Sequence, residues 1–389
     1  MTYEAKKEYL EAIRERYQKS TKRAKGFILD EYCKNCGLSR KYAIRVLSGS
    51  IEPRMRKPGP KSRYTEITPF LIDLWEVLDL PCSKKLVAAI PELLHYYENS
   101  LMTKAIEKKL LAVSSSTIDR LLRSHRKPKR KGISGTRAIP NVKSIIPIEL
   151  LHKKIAKPGY FEADTVHHCG DSLIGQYTST LTLTDISSTW TVNRAFWGRD
   201  AESVIEQLKM IESDLPFPMT CFASDNGSEV MNTMMRDYLH DRKKKVKMVR
   251  RRAYKKNDNA HVEQKNFTHV RQIFGYERLD DMAMVNMMNE IYTAYWNVLH
   301  NYFTPTMKLV ERKRVGGRIV KKYDSPRTPF TRILENPEVP KWIKKPLIDR
   351  KKGYNPFTLR KLLKEKMNQF VRLIENARIR RKFKNDHVA

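Results

Sequence analysis

The chain has 389 residues, with 76 Lys and Arg against 43 Asp and Glu, which gives a formal net charge of +33. This excess favours a polyanion such as nucleic acid as the partner, with a membrane surface as the alternative; a small-molecule substrate is not expected. No run of about 18 apolar residues and no apolar N-terminal segment is present, so a membrane protein or a signal peptide is not expected. The length predicts about two to four domains. Five cysteines without a framework spacing favour a reduced, cytoplasmic setting.

The first 52 residues predict an all-α helix-turn-helix domain. Helical periodicity covers residues 4–17 and 26–35, and a turn at Gly37 precedes a short basic helix over residues 40–47. In such domains the second helix enters the major groove of DNA. Base or phosphate contact, with a merely solvated surface as the alternative, is predicted for Arg40, Lys41 and Arg45.

Cys33 and Cys36 lie within this domain at a spacing that zinc ligands use. A zinc site needs further ligands, and no second pair of cysteines lies nearby in the sequence. Two structural thiols are therefore the favoured interpretation, and a zinc site stays the alternative.

A basic, Pro- and Gly-rich segment over residues 53–63 predicts a linker. Residues 64–125 predict a second helical domain, whose last part aligns with the first helix-turn-helix at a constant offset of 75 residues. This repeat predicts a second DNA-binding helix-turn-helix. Its predicted contacts, with a solvated surface again as the alternative, are Ser115, Ser116 and Arg120.

A second basic linker is predicted over residues 126–150, and the pattern then changes to strands. Three strands, a helix, a strand, a helix, a strand and further helices predict an α/β core with a five-stranded mixed sheet over residues 151–310. Residues 311–389 are a basic region with a terminal helix. The chain is therefore predicted to be multidomain, with helix-turn-helix modules before an α/β core.

Three acidic residues stand at different junctions of this core. Asp164 lies in a predicted strand, Asp225 directly follows one, and Glu263 lies near the start of a predicted helix. Such positions can bring three carboxylates to one edge of a sheet. Hard divalent cations prefer oxygen ligands, and two ions about 3.5–4 Å apart can stabilise both oxygens of a phosphodiester exchange. Asp185 also follows a strand; it is predicted to start a turn, and a position within the carboxylate pocket stays the alternative.

The helix predicted over residues 261–274 has two faces. Glu263, Phe267, Val270 and Phe274 share one face at a period of 3.6 residues, and this face is predicted to pack on the sheet. A second, polar face is predicted to contact DNA phosphate near the cut site. Its residues are Lys265, His269 and Gln272.

Several strings in this region occur in one order: Glu162-Ala163-Asp164-Thr165-Val166, Ser224-Asp225-Asn226-Gly227 and Asn257-Asp258-Asn259-Ala260-His261-Val262-Glu263. The residues between Asp225 and Glu263 number 37. In these respects the chain resembles the integrase-type catalytic core of DDE transposases from bacterial insertion sequences, which is related to retroviral integrases. The likeness covers roughly residues 159–309.

This resemblance implies an RNase H-like fold in which Asp164, Asp225 and Glu263 are catalytic and hold two Mg²⁺ or Mn²⁺ ions. It implies an enzyme, a polynucleotidyl transferase that binds the terminal inverted repeats of a mobile element and catalyses DNA cleavage and strand transfer in transposition. Double-stranded DNA, a homo-oligomer and a nucleoid-associated location in bacterial cytoplasm follow as expectations. A non-catalytic DNA-binding protein and a nuclease that uses only water are the alternatives.

Overall fold

The computed structural model describes residues 3–51, 63–126, 155–224, 230–250 and 260–386. The chain divides into two compact units, Met1–Arg63 and Tyr64–Ala389. Among the described residues no helix combines the length and the apolar character needed to cross a membrane.

The first unit contains three helices, which are α1 (Tyr3–Lys19), α2 (Lys22–Cys36) and α3 (Arg40–Leu47). The turn between α2 and α3 depends on Gly37, whose φ of 64° lies in the left-handed region that favours glycine. Its N–H donates to the Cys33 carbonyl at 2.9 Å and closes the end of α2. The core of the unit is built from one face of each helix, including Leu10, Leu29 and Val46. The predicted helices of this region are confirmed.

The second unit begins with four helices, which one short turn precedes and another follows. They are α4 (Thr68–Val77), α5 (Ser83–Leu93), α6 (Lys104–Ala112) and α7 (Ser115–Leu121), flanked by 3₁₀ turns at Thr65–Ile67 and Arg123–His125. Aromatic side chains connect them to later parts of the unit. Tyr96 meets Phe303 edge-on at 5.8 Å between ring centroids, and Tyr97 meets Phe357 at 5.3 Å. Their apolar residues therefore share one buried cluster with the sheet region.

The centre of the second unit is a five-stranded mixed sheet with the order β3-β2-β1-β4-β5. The strands are β1 (Tyr160–His167), β2 (Thr178–Asp185), β3 (Thr191–Trp197), β4 (Cys221–Ser224) and β5 (Lys247–Arg250), with α8 (Ala201–Asp214) and α9 (Thr233–His240) between them. β1 pairs antiparallel with β2 and parallel with β4. The predicted order of strands and helices, and the mixed sheet, are confirmed.

Two long helices, each with a π-helical middle, cover one face of this sheet. The first consists of α10 (Ala260–Lys265), a π segment (Asn266–Arg271) and α11 (Gln272–Phe274), and the second of α12 (Met282–Glu290), a π segment (Ile291–Trp296) and α13 (Asn297–Tyr302). The polar residues of β2 face them, since Thr180 Oγ1 lies 3.4 Å from the Tyr292 hydroxyl. On the opposite face α8 packs against β3, where Arg194 donates to Gln207 at 3.1 Å.

Three asparagine side chains complete the outer edge of β3. A strand at the margin of a sheet leaves backbone N–H and C=O groups without strand partners. A primary amide carries both a donor and an acceptor, so one asparagine can bond both groups of one strand residue. The observed pairs, with distances of 2.7 to 3.3 Å, are Asn301 with Thr191, Asn297 with Asn193, and Asn289 with Ala195.

The C-terminal region contains a hairpin of two strands followed by helices. Its elements are β6 (Leu309–Val315), β7 (Arg318–Tyr323), α14 (Pro329–Glu335), α15 (Lys341–Lys352) and α16 (Pro356–Asp386). The terminal helix is confirmed, but the hairpin was not predicted. The two-residue connection Gly316-Gly317 between β-rich runs is its sequence signal.

Candidate active site

Asp164 lies in the middle of β1, on the sheet face that meets α10. Its Oδ1 accepts a hydrogen bond from the Thr165 N–H at 2.9 Å, and its Oδ2 accepts one from Asn266 Nδ2 at 2.6 Å. The side chain is half-buried. The carboxylate is thus held in one orientation by the residue that directly follows α10.

Glu162 fixes the start of α10 against the same strand. It is two residues before Asp164 and therefore on the same face of the sheet, and it is fully buried. Its Oε2 accepts from the backbone N–H of Val262 at 3.3 Å. The first N–H groups of a helix have no partner within the helix, and a carboxylate is favoured there. Glu162 and Asp164 together attach α10 to β1.

Glu263 lies in α10 between these two attachment points, one residue after Val262 and three before Asn266. Residues three apart on a helix are neighbours on its surface. The backbone of Glu263 is therefore held next to the β1 face that carries Asp164. Its side chain lies outside what the structure describes.

β4 brings the third predicted residue towards the same place in the sheet. Ser224, the last residue of β4, pairs with Ala163, which directly precedes Asp164. Asp225 follows Ser224 in the sequence and belongs to residues 225–229, which lie outside the described ranges. The described part of β4 therefore ends level with Ala163, one residue before Asp164.

The donor set suits a hard divalent cation. Carboxylate oxygens such as those of Asp164 are the ligands that hard divalent cations prefer. Within the described part of the chain no group of three or more His, Cys, Asp or Glu side chains is placed to hold a metal ion. Of the predicted ligands Asp164, Asp225 and Glu263, only Asp164 has a side chain that the structure describes.

The polar face predicted for the Glu263 helix differs from what the structure shows. His269 is 2% exposed, and its ring stands 4.3 Å from that of His300 between centroids. Burial, with Lys265, His300 and Lys85 nearby, lowers the pKa of His269 well below its usual value. A ring in this interior position does not reach DNA, so the predicted phosphate contact of His269 does not agree with the structure.

Lys265 lies at the edge of this interior cluster. It is half-buried, and its Nζ lies 3.3 Å from His269 Nε2. Burial, with contributions from Lys85 and Arg332, lowers the pKa of Lys265 to about 7. The contact of Lys265 with DNA stays a prediction.

The π segment explains why the helix faces were misassigned. A π-helix contains more residues per turn than the α-helix, so it shifts every later side chain around the axis. Phe267, predicted to pack on the sheet, is 48% exposed, whereas Val262, Val270 and Phe274 are buried. The buried residues Val262 and Val270 are eight positions apart. The period of 3.6 had instead predicted an apolar face that begins at Glu263, seven positions before Val270.

The predicted DNA contacts of the first unit lie on α3. Arg40, Lys41 and Arg45 are all exposed, and Arg40 forms an ion pair with Asp30. Exposed apolar side chains, Tyr42 and Ile44, accompany them on the helix surface. The helix is therefore accessible to a ligand, and the DNA contacts remain predictions.

The corresponding residues of the second unit lie at the start and end of α7. Ser114 caps the helix by accepting from the Thr117 N–H at 3.2 Å. Ser116 and Arg120 are exposed, Ser115 is half-buried, and Arg120 donates to Thr117 Oγ1 at 3.2 Å. These contacts with DNA also stay predictions.

Asp185 has the turn-forming role predicted for it. It is fully buried, and it accepts from the Ser188 N–H and hydroxyl at 2.6 Å each and from the Gly159 N–H at 2.8 Å. Burial raises its pKa although these hydrogen bonds oppose that shift. In the first unit, Cys33 is half-buried and Cys36 is buried, and both thiols are free.

Sequence reasoning did not identify Glu162 and Asn266 as site residues. Glu162 stands two positions before Asp164, so the period of a strand puts both carboxylates on one face. Asn266 stands three positions after Glu263, so the period of a helix puts both on one surface. These two spacings are the signals that could have found them.

The first unit is built from three described helices, and the second contains a mixed sheet on which the Asp164 carboxylate lies beside α10. No family model matches the sequence. It is 37% identical over 332 residues to the uncharacterized protein y4rM of Sinorhizobium fredii (strain NBRC 101917 / NGR234), covering 84% of this chain and 94% of that protein. The chain therefore belongs to the same family as y4rM.

A solved structure also shows some likeness. A chain of the simian T-cell lymphotropic virus intasome in complex with PP2A regulatory subunit B56 gamma matches at 15% identity and a TM-score of 0.25. The match covers 46% of this chain and 57% of that chain. At this TM-score the likeness decides neither the fold nor the activity of this chain.

Proposed function

We propose that this protein is a DNA transposase of the DDE class with an RNase H-like core. It binds the terminal inverted repeats of a mobile element, cleaves DNA in a metal-dependent reaction and transfers the cut strand to target DNA. The observation that carries the proposal is the attachment of α10 to β1, which holds Asp164 beside the backbone of Glu263.

The chain's own residues prepare this site in three ways. Asn266 donates to Asp164 and so orients its carboxylate. Glu162 accepts from Val262 and so fixes the start of the helix that carries Glu263. Ser224, the residue before Asp225, pairs with Ala163, the residue before Asp164.

Two Mg²⁺ or Mn²⁺ ions, when bound, neutralise phosphodiester charge and stabilise the attacking and leaving oxygens of a strand exchange. In this proposal Asp164, Asp225 and Glu263 hold them. Exposed basic side chains on α3 support a duplex ligand, because they stand where a recognition helix contacts DNA. A homo-oligomer is part of the proposal, because two element ends are joined in one assembly.

Strand transfer with duplexes that carry the ends of the gene's own element tests the proposal. We expect wild type to cleave these ends and join the 3′-hydroxyl to a plasmid with Mg²⁺, and to do neither with EDTA. Asp164→Asn should lose at least about a thousandfold in rate while still binding the duplex. Asp171→Asn, which changes an exposed aspartate in the loop after β1, is the matched control and should react like wild type.

Two outcomes would contradict the proposal and identify an alternative. Fragments without joined products would indicate a nuclease that uses only water. Binding of the duplex without any metal-dependent product would indicate a non-catalytic DNA-binding protein.

A further inference from the structure

The hairpin of β6 and β7 is a ribbon that exposes nearly all of its side chains. Each is exposed except that of Glu311, which is half-buried. Several are apolar, including Val315, Ile319, Val320 and Tyr323. A two-stranded ribbon by itself is only marginally stable in water. Exposed apolar side chains on such a ribbon indicate a surface that contacts a partner.

The charge of the ribbon indicates what that partner is. Between Leu309 and Tyr323 the sequence has six basic residues and a single acidic one. A patch of this density attracts a polyanion. At about 3.3 Å per residue the seven residues of β6 extend about 23 Å, which is a substantial part of the roughly 34 Å turn of duplex DNA.

The base of the ribbon is fixed to the body of the unit. Thr306 and Arg327 exchange two backbone hydrogen bonds of 2.8 and 3.1 Å. Arg332 donates to both oxygens of Asp324, at 2.7 and 3.2 Å. Lys308 Nζ donates to the Ser187 carbonyl, in the turn between β2 and β3, at 2.9 Å. The ribbon thus projects from an ordered base.

The two faces of the ribbon differ in charge. Residues that pair directly across strands, and residues two apart along a strand, share a face. One face carries Glu311, Lys313, Val315, Arg318, Val320 and Lys322, and its Lys313 lies 2.5 Å from Glu311. The opposite face, called the basic face below, has three cations and no carboxylate. It consists of Arg312, Arg314, Ile319, Lys321 and Tyr323, with Leu309 paired to Tyr323 at its end.

We propose that the basic face binds the sugar-phosphate backbone and groove of duplex DNA, as a contact separate from α3 and from the site around Asp164. Arginine and lysine contact phosphates, while Ile319 and Tyr323 supply apolar contact in the groove, as in proteins that read DNA with a β-ribbon. The inference rests on the proposed function in taking DNA as the polyanion.

Matched triple substitutions in the full chain test the choice of face. Fluorescence anisotropy with a labelled duplex in EDTA would be measured over a series of salt concentrations. Arg312→Ala/Arg314→Ala/Lys321→Ala should weaken binding about 10- to 100-fold at 0.1 M salt and lower the salt slope by about three. Lys313→Ala/Arg318→Ala/Lys322→Ala removes the same number of cations from the other face and should weaken binding less than about threefold. Equal effects of the two variants, or an unchanged slope in the first, would overturn the proposal.

A crosslinking experiment tests the same contact without removing charge. p-Benzoylphenylalanine is placed at Ile319 on the basic face or at Val320 on the other, two positions with matched exposures of 53% and 52%. Irradiation should attach duplex DNA to the first protein and not to the second. Crosslinks between two protein chains at Ile319, without DNA adducts, would show that a second copy occupies this face and would contradict the proposal.

These outcomes are separable from the failure of the transposase proposal. Binding is measured without a metal, so it does not depend on catalysis. If the hairpin inference alone fails, wild type still cleaves and joins DNA while both triple variants bind alike. If the proposed function alone fails, wild type makes no joined product while the basic face still crosslinks to the duplex.

Discussion

The outer strand β3 of the large sheet and the strands of the β6–β7 ribbon are all edge strands, but their surroundings differ. On β3, asparagine amides from the helices of one sheet face bond the strand backbone at three alternate residues, and the strand is largely buried. On β6 and β7 all side chains except that of Glu311 are exposed, and six of the thirteen residues are basic. The first arrangement contributes to stability, and the second leaves a surface for a partner.

This difference predicts that substitutions of the asparagines that bond β3 change the free energy of unfolding, whereas substitutions on the ribbon of β6 and β7 change DNA binding. Chemical denaturation at fixed pH measures the first quantity. Anisotropy measures the second. Equal changes in the free energy of unfolding from substitutions around β3 and on the ribbon would contradict this comparison.

The largest expected effect is that of the asparagines of α13 that bond the backbone of β3. Asn297→Ala and Asn301→Ala should each lower the free energy of unfolding by about 2–4 kcal/mol, because each leaves a buried N–H and C=O of β3 without a partner. Asn286→Ala, which removes an exposed asparagine of α12, is the matched control and should change it by less than about 0.5 kcal/mol. Similar losses in control and test variants would contradict the role of the amides.

A smaller effect is expected from pH at the buried His168. Burial, with Arg271 and His167 nearby, lowers the pKa of His168 to about 3, and its Nε2 lies 2.9 Å from Thr180 Oγ1. Below pH 6.5 the histidine binds a proton in the unfolded chain but not in the folded protein, and this favours unfolding. The stability that depends on neutral His168 is therefore complete above pH 6.5 and is lost as pH falls towards 3.

The test compares stability at pH 7 and pH 5 in two variants. His168→Leu should reduce the loss of stability between these values by about 2 kcal/mol, because it removes the titrating ring. His240→Leu changes an exposed histidine of α9 and should leave the loss as in wild type. The interpretation is wrong if His168→Leu keeps the full pH dependence.

The next effect concerns Asn266, which donates a hydrogen bond to Asp164. Asn266→Ala should raise the Mg²⁺ concentration needed for half-maximal cleavage about tenfold, because removing an outer partner of a metal ligand weakens metal binding. The rise of the melting temperature with added Mg²⁺ should move to higher concentration by the same factor. A fall in the maximal rate without either shift would show that Asn266 does not act through Asp164.

The smallest expected effect on stability is that of the ribbon. Arg312→Ala/Arg314→Ala/Lys321→Ala should change the free energy of unfolding by less than about 0.5 kcal/mol, since exposed side chains contribute little. A loss above about 2 kcal/mol, measured by denaturation, would show that the ribbon packs on the body of the protein and would remove the contrast with β3.

β2 and β3 were predictable because they are rich in β-branched and aromatic residues and stand between turn signals, and β4 because its apolar run ends at a turn signal. The helices of the first unit were predictable because their apolar residues recur at helical spacing. Both kinds of signal are local, and the structure confirms the order of elements they gave.

Three features depend on contacts or geometry that a local pattern does not contain. The π segment at Asn266–Arg271 changes which residues of the helix are buried, and the period of 3.6 therefore misplaced Phe267 and His269. Asn289, Asn297 and Asn301 look like solvated helix residues until the edge of β3 is placed beside them. Glu162 and Asn266 gain their roles only when α10 packs on β1.

The central claim is that Asp164, Asp225 and Glu263 together bind divalent cations. The most direct test is the anomalous scattering of manganese in crystals of the protein with a duplex and MnCl₂. We expect two manganese peaks about 3.5–4 Å apart, with the Asp164 carboxylate in contact with at least one. Well-ordered DNA with no manganese peak beside Asp164, or with the three carboxylates directed away from one another, would contradict the claim.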